Sequence, residues 1–356
     1  MKRWILLATL LCSVAALAQL ACGSVSTRVM RTVLERNMAG DAVDDLPDGL
    51  HVGLCGAGGP LPSEERSGPC VAVVAGERIF IIDAGTGGVR NLQRLFRWGP
   101  GRIQAVFLTH FHSDHIDGLG ELGMQRWVNG SHTSPLPVYG GPGVEQIVNG
   151  FNMAYAQDAV YRTAHHGEAV VPSSGTGLSA RGFELPPPGE TVVVYEDDGL
   201  QVRAFAVQHA PVEPAVGYRF DYRGRSVAIS GDTTRSESLI QASQGVDLLV
   251  HEALSFELVG IMQEAAEAAG NEAIAKIAVD ILDYHADPAQ VAEVATAVGA
   301  GHLLFYHVVP PLPLPGLEGI FLEGVSDNYD GGVTLGRDGS WISLPAGVED
   351  IDVMAD

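Results

Sequence analysis

Leu108-Thr109-His110-Phe111-His112-Ser113-Asp114-His115-Ile116-Asp117-Gly118 closes an apolar stretch, Gln104–Thr109, that reads as a β-strand. His110 and His112 stand two apart at the strand end, so their side chains point to the same side. Asp114 and His115 follow where a helix should begin. Four ligand-type side chains therefore converge on a small volume. Imidazole together with carboxylate suits zinc and other first-row divalent metals. A turn merely filled with histidines does not account for this density of ligand types.

Short apolar runs punctuated by glycine surround this stretch. Val52–Leu54, Val71–Ala75 and Ile79–Asp83 read as strands before it. After it come a helix from Gly118 to Val128, a strand at Pro137–Tyr139 and a helix over Val144–Tyr155. Residues 156–190, which hold Ser173-Ser174-Gly175-Thr176-Gly177 and Pro186-Pro187-Pro188, read as a long irregular insertion near the mouth of the site. A second strand-rich block follows at Thr191–Tyr195, Val202–Val207, Gly217–Tyr222, Ser226–Ser230 and Leu248–His251. Alanine-rich helices are expected over about 261–283 and 287–299, with a late strand at Leu303–Tyr306. Two β-rich halves, each with its own helices, predict an α/β sandwich of two sheets with helices on both outer faces. The expected domain spans 47–345. An N-terminal segment, 19–46, precedes it and carries an amphipathic helix over 24–40, and an acidic tail, 346–356, follows.

The central motif, His-x-His-x-Asp-His, resembles the signature of the metallo-β-lactamase superfamily. Later residues are similar to its RNase Z-like and aryl sulfatase-like branch. They are Val207-Gln208-His209 with Ala215-Val216-Gly217-Tyr218-Arg219, then Ser230-Gly231-Asp232-Thr233-Thr234, and Asp247-Leu248-Leu249-Val250-His251-Glu252-Ala253. Tyr284-His285 and Leu303-Leu304-Phe305-Tyr306-His307 resemble its two late histidine motifs. Cys55-Gly56-Ala57-Gly58-Gly59-Pro60 is similar to its opening glycine-rich loop, and Asp83 matches an aspartate behind the metal ligands. Two departures stand out. Leu254 replaces the threonine of a His-Glu-Ala-Thr segment, and His307-Val308-Val309-Pro310-Pro311 replaces a His-x-Ser pattern.

The resemblance implies a metallo-β-lactamase αβ/βα sandwich and two divalent metal ions, with zinc expected and manganese or iron as alternatives. By analogy, His110, His112 and His209 hold one metal, Asp114, His115 and His307 hold the other, and Asp232 bridges them. Asp114 also orients a hydroxide, and His285, held by Glu252, donates a proton to the leaving group. Asp83 and Asp117 are candidates for holding ligand histidines in the right tautomer. His165-His166-Gly167 reads as a solvated loop, and His51, His132 and His302 carry no ligand spacing.

The first residues, Met-Lys-Arg, then an apolar run from Trp4 to Leu17 and Ala16-Leu17-Ala18, describe a secretory signal peptide over 1–18. The run is short for a membrane span. A lipid anchor at Cys22 ranks below simple cleavage, because Gln19 stands where lipoprotein signals carry leucine. A periplasmic or secreted protein is expected. Export permits a disulfide between Cys55 and Cys70; two free buried thiols fit the sequence equally. The formal charge is −22, and the loss of Lys2 and Arg3 makes it −24, with Lys276 as the only lysine left. A surface so acidic repels polyanions, and residues 150–190 hold only Arg162 and Arg181 as basic groups, so nucleic acid is not an expected partner. The expectation is an exported hydrolase of a small-molecule ester, a phosphodiester or aryl sulfate, with a lactone or carboxylic ester as the alternative. A non-catalytic periplasmic metal-binding protein is the reading from a different class. A cysteine-ligand lactamase does not fit, since Asp232 occupies the corresponding position and no cysteine lies beyond Cys70.

Overall fold

Strands that are buried on both faces read as nearly continuous apolar runs, and β1 (Gly49–Gly56), β2 (Cys70–Ala75), β10 (Arg225–Ile229), β11 (Leu248–Leu254) and β12 (His302–Val309) are buried throughout. They belong to two sheets in a computed structural model that describes residues 23, 25–36, 38, 40, 42–96 and 99–354. The expected signal peptide and Cys22 lie outside the described residues. The described residues within 25–36 are helical.

The first sheet adds β3 (Arg78–Ile82), β4 (Ile103–Phe107), β5 (Leu136–Gly140), β6 (Leu178–Gly182), β14 (Trp341–Pro345) and β15 (Asp352–Met354), in the order β15-β14-β1-β2-β3-β4-β5-β6. The second adds β7 (Val192–Asp197), β8 (Leu200–Ala206), β9 (Val216–Tyr222) and β13 (Gly332–Leu335), in the order β13-β12-β11-β10-β9-β8-β7. Alternate residues from the two sheets meet between them: Val71, Val73, Phe80, Ile82 and Phe107 from one, Val202, Phe220, Val227, Val250 and Leu304 from the other. Aromatic rings lock the middle, with Phe107 edge-on to Phe220 at 5.6 Å and to Tyr218 at 5.4 Å.

Helices α1 (Gly88–Phe96), α2 (Leu119–Gly130) and α3 (Val144–His166) cover the outer face of the first sheet through Leu92, Phe96, Leu119, Leu122, Val144 and Val148. On the second sheet's outer face lie α4 (Glu237–Ala242), through Leu239, and, further along the chain, a helix over Pro288–Val298, through Val291 and Val294. The metallo-β-lactamase sandwich expected from the sequence is the fold observed.

Three local expectations change. Residues 156–190 are not irregular throughout: α3 runs on to His166 and Leu178–Gly182 forms the edge strand β6. The single helix expected over 261–283 is two, α5 (Phe256–Ala268) and α6 (Glu272–Asp280), which leaves Pro288–Val298 as α7. Gly270 breaks it by adopting a left-handed φ of 69°, and the Asn271 side chain then caps α6 by accepting from the Ile274 N–H. The acidic tail is partly ordered as β15, which pairs with β14 at Trp341–Met354.

Cys55 and Cys70 form a disulfide across the first two strands, 15 residues apart. Closing a loop of that length stabilises the fold by about 3 kcal/mol. We therefore expect Cys55→Ser combined with Cys70→Ser to lower the unfolding free energy by about 2–4 kcal/mol in urea melts, with the parent showing the same loss under reducing conditions.

Candidate metal centre

The parallel strands β4, β10 and β12, together with β8, all end at one rim of the sandwich, and the segments leaving them carry the ligand-type residues. Ligand sites form outside the carboxyl ends of parallel strands for this topological reason. From β4 the chain passes through Thr109 and His110 into a single helical turn, Ser113–Ile116. The Thr109 carbonyl accepts from the Val216 N–H at 3.0 Å, tying the first sheet to the second beside the site. His209 follows β8, Asp232 follows β10, and His307 lies within β12.

His307 reaches the site through a backbone irregularity. The pairing of β11 with β12 steps from Glu252–Tyr306 to Ala253–Val308, so His307 is the unpaired residue of a bulge, with φ of 45°. Left-handed backbone at a non-glycine residue costs on the order of 1–3 kcal/mol, and such strain concentrates at functional sites. Asp83, with φ of 58°, has the same strain. Across from the bulge, the glycine-rich loop approaches closely: a Cβ on Gly59 would stand 3.0 Å from His307 Cε1 and 2.7 Å from Val309 Cγ2. Only glycine fits there.

All seven expected ligands come together. His110, His112, His209 and Asp232 offer atoms within 4.8 Å of one another, as do Asp114, His115 and His307. Asp232 stands at the centre. Its Oδ2 is 3.3 Å from Nε2 of both His115 and His307, 3.8 Å from His110 Nε2 and 3.9 Å from His209 Nε2. Asp114 Oδ2 lies 3.4 Å from His307 Nε2 and 3.6 Å from His115 Nε2. His285, expected as a proton donor, also falls within 4.8 Å of Asp232 and His307.

Hydrogen bonds behind the cluster fix the rings. His115 Nδ1 meets Asp83 Oδ2 at 2.8 Å, the Thr109 hydroxyl donates to the same oxygen at 2.8 Å, and His209 Nδ1 meets the Tyr284 carbonyl at 2.9 Å. With Nδ1 occupied in this way, Nε2 is left for a metal. His115 Nε2, His209 Nε2, His307 Nε2 and Asp232 Oδ1 are buried without a hydrogen-bond partner among the described residues. Buried polar atoms are normally satisfied, so four orphans within one cluster of ligand-type residues fit cations better than any protein partner. Burial, then the neighbouring His115, holds His110 well below the ordinary imidazole range, and a neutral imidazole is the metal-binding form. Burial alone would raise the Asp232 carboxyl, but His307 and His115 outweigh it and keep the group ionised. The donor set suits divalent metal ions.

Glu252 is fully buried and its Oε1 gathers three partners: the Thr233 N–H at 3.2 Å, the Ala286 N–H at 3.1 Å and His285 Nδ1 at 3.2 Å. Burial disfavours charge on His285, but the Glu252 carboxylate overrides it and raises the imidazole above its usual value. Asp117, expected to orient a ligand, instead accepts from the Thr86 hydroxyl at 3.1 Å and faces solvent. His51, His132 and His302 bond to Ser343, the Gly101 carbonyl and Thr334, away from the cluster. His165 and His166 end α3 and are exposed.

Sequence reasoning missed Thr109, whose hydroxyl has no signature of its own. It also missed the cavity of about 150 Å³ beside the cluster, lined by His112, Asp114, His285 and His307 on one side and by α5 and α6 on the other. Val259–Met262 and Ile274–Ile277–Ile281 show ordinary helical spacing, which reads as core-facing whether or not a cavity lies in front.

The profile of the metallo-beta-lactamase superfamily matches residues 64–279. The chain belongs to that superfamily. Ribonuclease Z from Mycolicibacterium gilvum (strain PYR-GCK) is 34% identical over 308 residues, covering 84% of this chain and 98% of that relative. Among solved structures, the human tRNase Z short form (TM-score 0.57, 20% identity) covers 83% of this chain and 99% of its own. The metallo-beta-lactamase fold protein YhfI from Bacillus subtilis gives the same TM-score, identity and coverage. Both structures speak for the fold. The chain is a metal-dependent hydrolase of ester bonds in the RNase Z-like branch of the superfamily.

The relative overturns two expectations: a small-molecule ester as substrate, and the exclusion of nucleic acid as partner. Both leaned on the formal charge, which sums the whole surface and omits the cations that the site itself would hold. A divalent centre attracts a phosphate locally whatever the distant surface carries.

Replacing Asp83 leaves His115 without the acceptor that orients it. We expect Asp83→Ala to weaken zinc binding by about 10- to 100-fold in competition titrations, with the fold intact by circular dichroism. An unchanged affinity would show that Asp83 is not a support for the centre.

Proposed function

We propose that this chain is a two-metal phosphodiesterase acting on RNA, of the ribonuclease Z type. The observation that carries the reading is the position of Asp232: one buried carboxylate oxygen is 3.3–3.9 Å from four histidine nitrogens contributed by both halves of the fold. A carboxylate so placed is suited to bridging two ions. In this reading His110, His112 and His209 would hold one zinc and Asp114, His115 and His307 the other, with Asp232 placed to serve both. When bound, such a pair lowers the pKa of water and neutralises charge on the attacking and leaving oxygens of an in-line displacement. The relative named ribonuclease Z, matched over nearly its whole length, supports RNA as the substrate.

The chain's own residues do the rest. Asp114, partly open to the cavity, accepts a hydrogen bond from the nucleophile and orients it. His285, protonated through Glu252, gives its proton to the leaving oxygen as the phosphodiester opens. Glu252 acts by positioning: its Oε1 holds both the His285 ring and the Ala286 N–H that follows it.

Export remains part of the proposal. The N-terminal segment has the composition of a signal peptide, and the Cys55–Cys70 disulfide suits an oxidising compartment. No helix among the described residues is long and apolar enough to cross a membrane.

The test uses the zinc-loaded protein and an RNA hairpin with an unpaired 3′ extension. Cleavage should be abolished by chelator, restored by zinc, and reduced by at least about a thousandfold in Asp232→Ala. A Glu252→Gln variant should lose kcat while keeping KM and bound zinc, since the amide oxygen can still accept from the Thr233 and Ala286 N–H groups but no longer carries the charge that raises His285. RNA cleavage that survives both chelation and Asp232→Ala would refute the reading.

A further inference from the structure

We propose that the cavity beside the metal cluster seats one unpaired nucleobase flanking the scissile phosphate, and holds it by apolar contact without reading its edges. The inference rests on the RNA reading above. The cavity holds about 150 Å³ and opens directly onto His112, Asp114, Asp232 and His307. Away from those residues, and from His285 and Tyr284 at the same end, its wall is aliphatic: Leu254, Val259, Met262, Ile274, Ile277 and Val309. Two of these, Leu254 and Val309, stand where the sequence departs from the threonine and serine of the motifs it otherwise resembles. Both departures therefore replace a hydroxyl with a branched hydrocarbon at the same cavity.

The outer rim carries the same character. Ile274 is 43% exposed and Ile277 53% exposed on α6, although an apolar face so close to the site gains nothing from water. The volume, which also takes in the space between the candidate metal ligands, leaves room for no more than a single small ring system, since an apolar cavity of roughly this size takes up benzene. A base pair does not fit it, so the occupant must be unstacked. The surrounding charge points the same way. Glu257, Glu264, Glu267, Glu272 and Asp280 lie on α5 and α6, and Lys276, the one lysine there, is engaged by Asp280 at 2.6 Å. Backbone phosphates away from the metals find no cationic track on this hairpin, so binding energy must come from the base itself. Stacking and apolar contact are tolerant of sequence because every base has an apolar face.

The zinc-loaded full chain and the same hairpin RNA provide the test, with an abasic nucleotide placed in turn on either side of the scissile bond. At one of the two positions, loss of the base should raise KM by about tenfold with kcat little changed. The four natural bases at that position should agree within about threefold. Ile277→Asp, a half-exposed site whose substitution spares the core, should raise KM on the natural RNA and erase the difference between natural and abasic substrates. Met262→Ala should do the same in part. As a direct readout, 2-aminopurine at the sensitive position should brighten on binding to the parent protein and not to Ile277→Asp.

Equal KM for natural and abasic RNA at both positions, or discrimination that survives in Ile277→Asp, would overturn the base subsite while leaving RNA hydrolysis in place. Failure to cleave any RNA would overturn the RNA reading and the inference with it.

Discussion

Burying several imidazoles and two carboxylates within a few ångströms of one another is the constraint on which the rest of the structure depends. Protein partners do not satisfy them: Nε2 of His115, His209 and His307 and one oxygen of Asp232 are left without hydrogen bonds. An arrangement of that kind is costly in a low-dielectric interior unless cations complete it. The strained backbone at Asp83 and His307 adds to the cost in the same place. Two strained residues and several unpartnered buried polar atoms thus meet at one rim of the sandwich. This is the distribution expected where a fold stores its function.

The sandwich supplies the rigidity that such a site needs. Phe80, Phe107, Tyr218 and Phe220 interlock between the sheets, so the strand ends cannot drift apart without opening the aromatic core. The Tyr218 hydroxyl donates to the Leu108 carbonyl at 2.6 Å, pinning the strand just before the histidines. The same residue that fills the core therefore sets the height of His110 and His112. Asp83, just past the end of β3, holds both Thr109 and His115, which links the first sheet's backbone to the candidate metal ligands through two hydrogen bonds.

The clustering of candidate ligands is legible in the sequence because metal chemistry demands particular side chains at particular strand ends, and those leave a pattern independent of context. His110 to His115 carry it locally. His209, Asp232 and His307 were legible only through resemblance, since nothing in their spacing says that they meet. What stayed hidden depends on tertiary context. Asp117 has the same residue type and nearly the same position as a useful support, yet its side chain turns to Thr86 and solvent. The strand character of 178–182 and 352–354 depends on neighbours that complete the sheet, whereas the break at Gly270-Asn271 is a local cap signal within an otherwise helical pattern. Net charge misled most: it is a property of the whole surface, whereas substrate is chosen by a few residues and the ions between them.

The central claim is that this cluster binds two divalent ions, one on each side of Asp232. Anomalous diffraction from zinc-grown crystals, with metal content measured on the same protein in solution, tests it directly. The account predicts two ions per chain, one among His110, His112 and His209 and the other among Asp114, His115 and His307, with Asp232 touching both. A single ion, or none at saturating zinc, would contradict it.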